Sequence, residues 1–214
     1  MNNISSPRIK IVQYMHGALP YFPLSERINH RYCGLHGYQY VIRRDRPRED
    51  RHVSWHRLPV ILDELNHCDY LIYMDADAFF YGDCFPVEEY LLPLMAGHDI
   101  LMAADIAHEG QRWNPDKPNA GVIVMKATPE VRRFMETWDA SSEIAPRLRW
   151  EWPVEQKALW ECVLPKFPDF LRVEPDYYLI QGHYGLFIRH LMSFTNEQRA
   201  LQMKQFCQLH GIEP

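Results

Sequence analysis

The sequence predicts an α/β domain with a largely parallel sheet flanked by helices. Three observations point there: short β-branched apolar runs of strand length, helical periodicity between them, and turn or cap residues at the junctions. The chain has 214 residues, 47% of them hydrophobic and 13% aromatic. That is enough apolar material for one substantial core, so a single domain over residues 1–214 is expected.

The first strand is read at residues 9–14 (IKIVQY), apolar enough to be buried on both faces, and a loop marked by Gly17, Pro20 and Pro23 follows. Ser25 is then placed to cap a helix whose Ile28, Tyr32 and Leu35 recur at i, i+4, i+7, and Gly37 is its stop. Residues 38–42 (YQYVI) read as a second strand, and the almost wholly charged stretch 43–52 (RRDRPREDRH) as an exposed loop. Leu58, Ile61, Leu62 and Leu65 give the next helix, with Pro59 in its first turn. Residues 70–74 (YLIYM) read as a central strand. Further strands are expected at 99–103 and 121–125, separated by a Pro-rich polar loop over 108–119. Thr128 caps the following helix, Pro129 takes its first position, and Val131, Phe134, Met135 and Trp138 form one apolar face. Pro153 opens a helix through Val163, and Thr195 with Gln198 makes a capping box for the last one.

Composition limits the partners. Lys and Arg number 23 against 28 Asp and Glu, a formal net charge of -5, so no positive field is available to hold a nucleic acid non-specifically. The five cysteines (Cys33, Cys68, Cys84, Cys162, Cys207) are scattered, form no C-x-x-C pair, and read as free, mostly buried thiols. The N-terminal stretch has no segment of signal-peptide character and no apolar run approaches the ~18 residues of a bilayer crossing. A reduced, cytoplasmic setting is expected, with peripheral membrane contact compatible with it. Trp150 and Trp152 suit an acceptor site or an interface equally well.

In open parallel sheets the ligand crevice lies beyond the carboxyl ends of the strands, so the chemistry is expected just after the strand-like runs, at Tyr14, Asp75, Asp105 and around Asn119. The strongest chemical signal occurs at such an end: YLIYMDADAFF, residues 70–80, carries Asp75 and Asp77 directly out of an apolar strand. Two carboxylates in an apolar context are costly unless a positive charge offsets them. A hard divalent cation does so, and a nucleotide diphosphate can complete its shell. Small Ala76 between them lets a ligand approach the backbone.

Here the sequence resembles retaining glycosyltransferases of the GT-A fold, a Rossmann-like mixed, mainly parallel sheet. The likeness is to the galactosyl/xylosyltransferase family of fungi and plants and to the bacterial lipopolysaccharide galactosyltransferase and glycogenin family. It runs in order through N-H-R-Y-C-G-L-H-G-Y at 29–38, W-H-R-L-P at 55–59, the D-A-D strand, N-A-G-V at 119–122, E-Q at 155–156 and G-H-Y-G at 182–185. The resemblance implies transfer of a hexose or pentose from a nucleotide-diphosphate sugar, with UDP the expected nucleotide, to a carbohydrate or other hydroxyl acceptor, with retention. Asp75 and Asp77 are implied as ligands of Mn²⁺ or Mg²⁺, with His183 third and His190 its rival; the motif at His183 is one residue shorter than the family's H-[FY]-x-G. Gln13, Tyr14, Arg57, Ala76, Asn119 and Gly121 are implied on the donor alongside the aspartates. Glu155 and Gln156 are implied at the reacting carbon and Arg189 at the leaving diphosphate. Two other readings stand beside this one: a nucleotide-sugar-binding module without activity, and a haloacid-dehalogenase-type phosphatase, which also places D-x-D after an apolar strand.

Overall fold

The computed structural model describes residues 6–46, 48–81, 85–105 and 114–213. Cys84, Pro47 and residues 108–113 of the polar loop expected over 108–119 lie outside the described residues; the rest of that expected loop is strand, which begins at Asn114 and not at 121, its first half pairing with the strand Ile100–Asp105. Strands β1 (Ile9–Tyr14), β2 (Gln39–Arg43), β3 (Tyr70–Met74), β5 (Ile100–Asp105), β6 (Asn114–Lys126) and β7 (Leu171–Glu174) form one sheet in the order β2-β1-β3-β6-β5-β7. β1 pairs in parallel with β2 and β3, and β5 with β7, while β6 runs antiparallel to both its neighbours. The sheet is thus mixed and mainly parallel. A second, two-stranded antiparallel sheet joins β4 (Ala78–Phe80) to β8 (Ile188–His190).

Alternation along the strands sends side chains to both faces, and helices cover each. Val12, Leu71 and Tyr73 pack with Leu58 and Ile61 of α2 (Arg57–Glu64) and with Phe134 and Trp138 of α4 (Pro129–Ile144). Ile11, Ile72 and Met74 pack with Tyr32 of α1 (Phe22–His36) and Leu91 of α3 (Val87–Leu94). A third cluster seats Met203 and Phe206 of α7 (Asn196–Leu209) against Met15 and Phe79. Cys33, Cys68 and Cys207 are buried free thiols and Cys162 is half-buried.

Caps explain several boundaries. Gly37 ends α1 at φ 74°, Thr128 accepts from the Val131 N–H with Pro129 beginning α4, and Thr195 with Gln198 closes a full capping box on α7. Ser25 is a correction: α1 begins at Phe22, three residues earlier, because Pro23 fits the first turn. Ser25 is therefore inside the helix and fully buried. The helix expected from Pro153 starts at Glu155, as α5 (Glu155–Ala158), and continues as a π turn over Leu159–Val163. Val154, the buried residue before it, has φ 59° and ψ -114°, a costly backbone for a β-branched side chain. The charged stretch after β2 is not uniformly solvated: Arg51 is buried, bonded to Ser142 and paired with Glu143 at 2.7 Å. The remaining short helix is α6 (Tyr177–Ile180).

Candidate metal and donor site

Asp75 leaves β3 into a tight turn, in which the Ala78 N–H donates to the Asp75 carbonyl at 2.9 Å. Buried polar groups hold that turn from below. The Gln13 amide donates to the carbonyls of Asp75 (2.8 Å) and Ala78 (3.0 Å), and Asn29 of α1 bonds the Gln13 oxygen, the Ala78 carbonyl and the Phe80 N–H. Gln13 and Asn29 are fully buried, so their bonds offset a desolvation cost that solvent-facing amides would not carry. Gln13 is thus fully buried and braces the turn, whereas the family resemblance put it on the donor. Tyr14 is also buried, its hydroxyl donating to the Asp45 carbonyl and its ring against His56 at 4.8 Å; burial raises its hydroxyl to about 12.

Because β6 is antiparallel to β3, its residues 119–121 arrive beside the carboxyl end of β3, and the Asp75 N–H donates to the Gly121 carbonyl at 2.7 Å. β8 brings a third group. The Nε2 of His190 lies 3.3 Å from Asp77 Oδ1 and 3.7 Å from Asp75 Oδ2. One ligand atom each from Asp75, Asp77 and His190 fall within 4.8 Å of one another. His183 is not part of this group: its ring nitrogen bonds the Met192 carbonyl and its ring stacks on Phe194 at 4.4 Å. A three-residue strand alternates Ile188, Arg189 and His190, so Arg189 faces away from His190. Arg189 lies over the Tyr81 ring at 3.4 Å, not at the carboxylates.

Two other arginines occupy the carboxylates. Arg57 lies 3.1 Å from Asp75 Oδ1 and 3.3 Å from Glu155 Oε1, and donates to the Ala120 carbonyl at 2.7 Å. Arg199 of α7 lies 2.8 Å from Asp77 Oδ2. Arg199 has no motif around it; only its place four residues into a helix that packs over β4 brings it here. Burial raises the Asp75 carboxyl above its usual range despite Arg57 and His190. For Asp77 burial is outweighed by His190 and Arg199, which hold it at about 2. Burial would lower the His190 imidazole, but the two aspartates outweigh it and raise it.

The rim is a chain of amides. Asn119 donates to Asp105 Oδ1 (2.9 Å) and accepts from the Gly121 N–H (2.9 Å), while Gln156 donates to Asp105 Oδ2 (3.0 Å) and accepts from the Ala120 N–H (2.8 Å). Gly121 has a steric reason: a Cβ there would stand 2.0 Å from His190 Cε1. Ala76, at the turn's crest, is partly buried against the cluster that seats α7. Glu155 is 3% exposed and its Oε2 is buried without a hydrogen-bond partner. Asp105 stands at one of the strand ends where the sequence placed the chemistry, whereas Gln181 and Arg199 carry no sequence signal. Trp150 and Trp152 are exposed, at 61% and 70%.

The donor set fits a hard or borderline divalent cation: two carboxylate oxygens and an imidazole nitrogen converge, while arginines engage the outer carboxylate oxygens. Among the described residues no helix is long and apolar enough to cross a membrane. None of the curated proteins matches the chain. Solved structures do: a glycosyltransferase involved in the glycosylation of the major capsid of PBCV-1 superposes with a TM-score of 0.74 at 16% identity, over 93% of this chain and 100% of that one. The glycosyltransferase GlyE of Streptococcus pneumoniae TIGR4 follows at a TM-score of 0.56 and 13% identity, over 97% of this chain and 64% of that one. The profile of the nucleotide-diphospho-sugar transferase family matches residues 38–207, a span from β2 into α7 that contains Arg199 and all three residues whose ligand atoms converge. The chain belongs to the nucleotide-diphospho-sugar transferase family.

Proposed function

We propose that the protein transfers a hexose or pentose from a nucleotide-diphosphate sugar, a UDP-sugar, to a hydroxyl acceptor with retention of configuration. The convergence of Asp75, Asp77 and His190 at the carboxyl end of β3 carries the reading. These residues would hold Mn²⁺ or Mg²⁺, which supplies Lewis-acid stabilisation of the departing diphosphate. Arg57 and Arg199 add fixed positive charge beside the same carboxylates, and neither needs to reorganise as negative charge builds on the leaving group.

Glu155 takes the opposite role. Its unpartnered Oε2 is the carboxylate oxygen available to a sugar carbon gaining positive charge, and Arg57 lies 3.3 Å from its other oxygen. Gln156 spans Asp105 and the Ala120 N–H, and so fixes the strand edge on which the sugar would lie. The experiment is release of nucleoside diphosphate from a panel of UDP-, GDP- and CDP-sugars with Mn²⁺, by wild type and by Asp75→Asn and Asp77→Asn. Turnover with one nucleotide class, reduced at least about 100-fold in both variants, is expected, since each would lose an electrostatic group at the leaving phosphate. Equal turnover in all three proteins would refute the assignment. Binding without turnover across the panel would leave a donor-binding module.

A further inference from the structure

His190 reaches the carboxylates with Nε2 and turns Nδ1 to the Oε1 of Gln181 at 2.9 Å. Which nitrogen carries the proton depends on which end of the Gln181 amide faces it. That end is fixed by a chain of bonds beginning in the backbone. The Gly121 N–H can only donate, so the Asn119 atom that meets it at 2.9 Å is the oxygen. Consistently, the other end of Asn119 meets a carboxylate oxygen of Asp105, which in its ionised form can only accept. The Asn119 oxygen in turn faces Gln181 at 3.0 Å, so the Gln181 atom there is the nitrogen, and its oxygen is left for His190. An amide oxygen accepts, hence Nδ1 bears a hydrogen in either protonation state, and in the neutral ring Nε2 is the nitrogen left for a cation held with Asp75 and Asp77. Gln181 is 0% exposed and His190 3%, so no water competes for either bond.

We infer that Gln181 is a positioning residue, which, set by Asn119 and Asp105, locks His190 in the Nδ1–H tautomer and aims Nε2 at the cation site. Gly121 belongs to the same device, for it both anchors the Asn119 oxygen and vacates the space that the imidazole fills. The inference rests on His190 being a ligand of the proposed cation.

The test compares Mn²⁺ affinity, by paramagnetic resonance of free Mn²⁺, in wild type, Gln181→Met and His190→Ala, with near-ultraviolet circular dichroism to show that each is folded. Gln181→Met keeps length and removes both amide bonds. It is expected to weaken Mn²⁺ binding about 10–100-fold, the usual cost of losing the group that orients a ligating histidine. Wild-type protein supplies a second measurement that needs no variant: the long-range proton–nitrogen NMR spectrum of His190 with Cd²⁺ as a diamagnetic probe. A hydrogen on Nδ1 and coupling of the metal to Nε2 are expected. Wild-type affinity in His190→Ala would remove the metal-site reading itself. Loss in His190→Ala with full affinity in Gln181→Met, or metal on Nδ1 in the wild type, would overturn the tautomer lock and leave the metal site standing.

Discussion

Gly121 has a hydrogen where any other residue would place a carbon 2.0 Å from His190 Cε1 and 2.5 Å from Nδ1. His190 is held on β8 by its pairing with β4, so the imidazole would have to leave its position and break its bond to Gln181. Gly121→Ala is therefore expected to cost about 1–3 kcal/mol of stability by overpacking and to weaken Mn²⁺ binding together with it; chemical denaturation and a metal titration measure the two. Arg57 poses the opposite problem. It is the shared countercharge of Asp75 and Glu155, and Glu155 is 3% exposed. Removing one partner of a buried pair leaves the other charge without compensation, so Arg57→Met is expected to destabilise the protein by about 3–5 kcal/mol in urea. A loss below about 1 kcal/mol would mean that water reaches Glu155 and that its free oxygen is not held in a dry site.

At the scale of elements, the three-residue strand β8 decides which side chains meet the carboxylates. Its alternation sends His190 to Asp77 and Arg189 to Tyr81. Arg189→Met is accordingly expected to leave Mn²⁺ affinity within about twofold of wild type, a change under ~0.5 kcal/mol, whereas His190→Ala loses it; the reverse order in a titration would show that the strand is out by one residue. Nothing in the local sequence announces β8, because Ile188–His190 is too short for a periodic signal and its partner β4 is more than a hundred residues earlier. That is why Gly182-His183-Tyr184-Gly185, with its resemblance to a motif, drew attention ahead of His190. By contrast β1, β3, α2, α4 and α7 were legible, since each carries either a buried apolar run or periodicity with a cap. Asp75, Asp77, Asn119 and Glu155 were legible for the same reason: they sit where readable elements end. The bracing bonds of Gln13 were not legible, because a strand buried on both faces does not reveal which polar residue points to a buried turn. Asp105 was legible as a strand end, but Gln181 and Arg199 enter only through the packing of α6 and α7, so their part was not in the local pattern.

For the whole molecule, the site joins distant parts of the chain: Asp75 and Asp77 follow the central strand, residues 119–121 come from the antiparallel strand beside it, His190 from the second sheet and Arg199 from the last helix. A ligand that engages this group therefore stabilises contacts between elements that unfolding would separate, and it has no comparable partner set in the unfolded chain. At a concentration 100 times its dissociation constant such a ligand adds about 2.7 kcal/mol. For a chain of this size each kcal/mol raises Tm by about 2–4 °C, so Mn²⁺ with UDP is expected to raise it by about 5–11 °C. The metal-free carboxylates set the control. Burial raises the Asp75 carboxyl, and a group with a folded-state pKa above its unfolded value takes stability away as pH rises through ionisation. Asp75→Asn removes that cost while keeping the shape, so at neutral pH its metal-free Tm is expected to equal or exceed that of wild type, while the response to Mn²⁺ and UDP disappears. A variant that instead melts well below wild type without metal, and still responds to it, would mean that Asp75 serves the fold through Arg57 and not the cation.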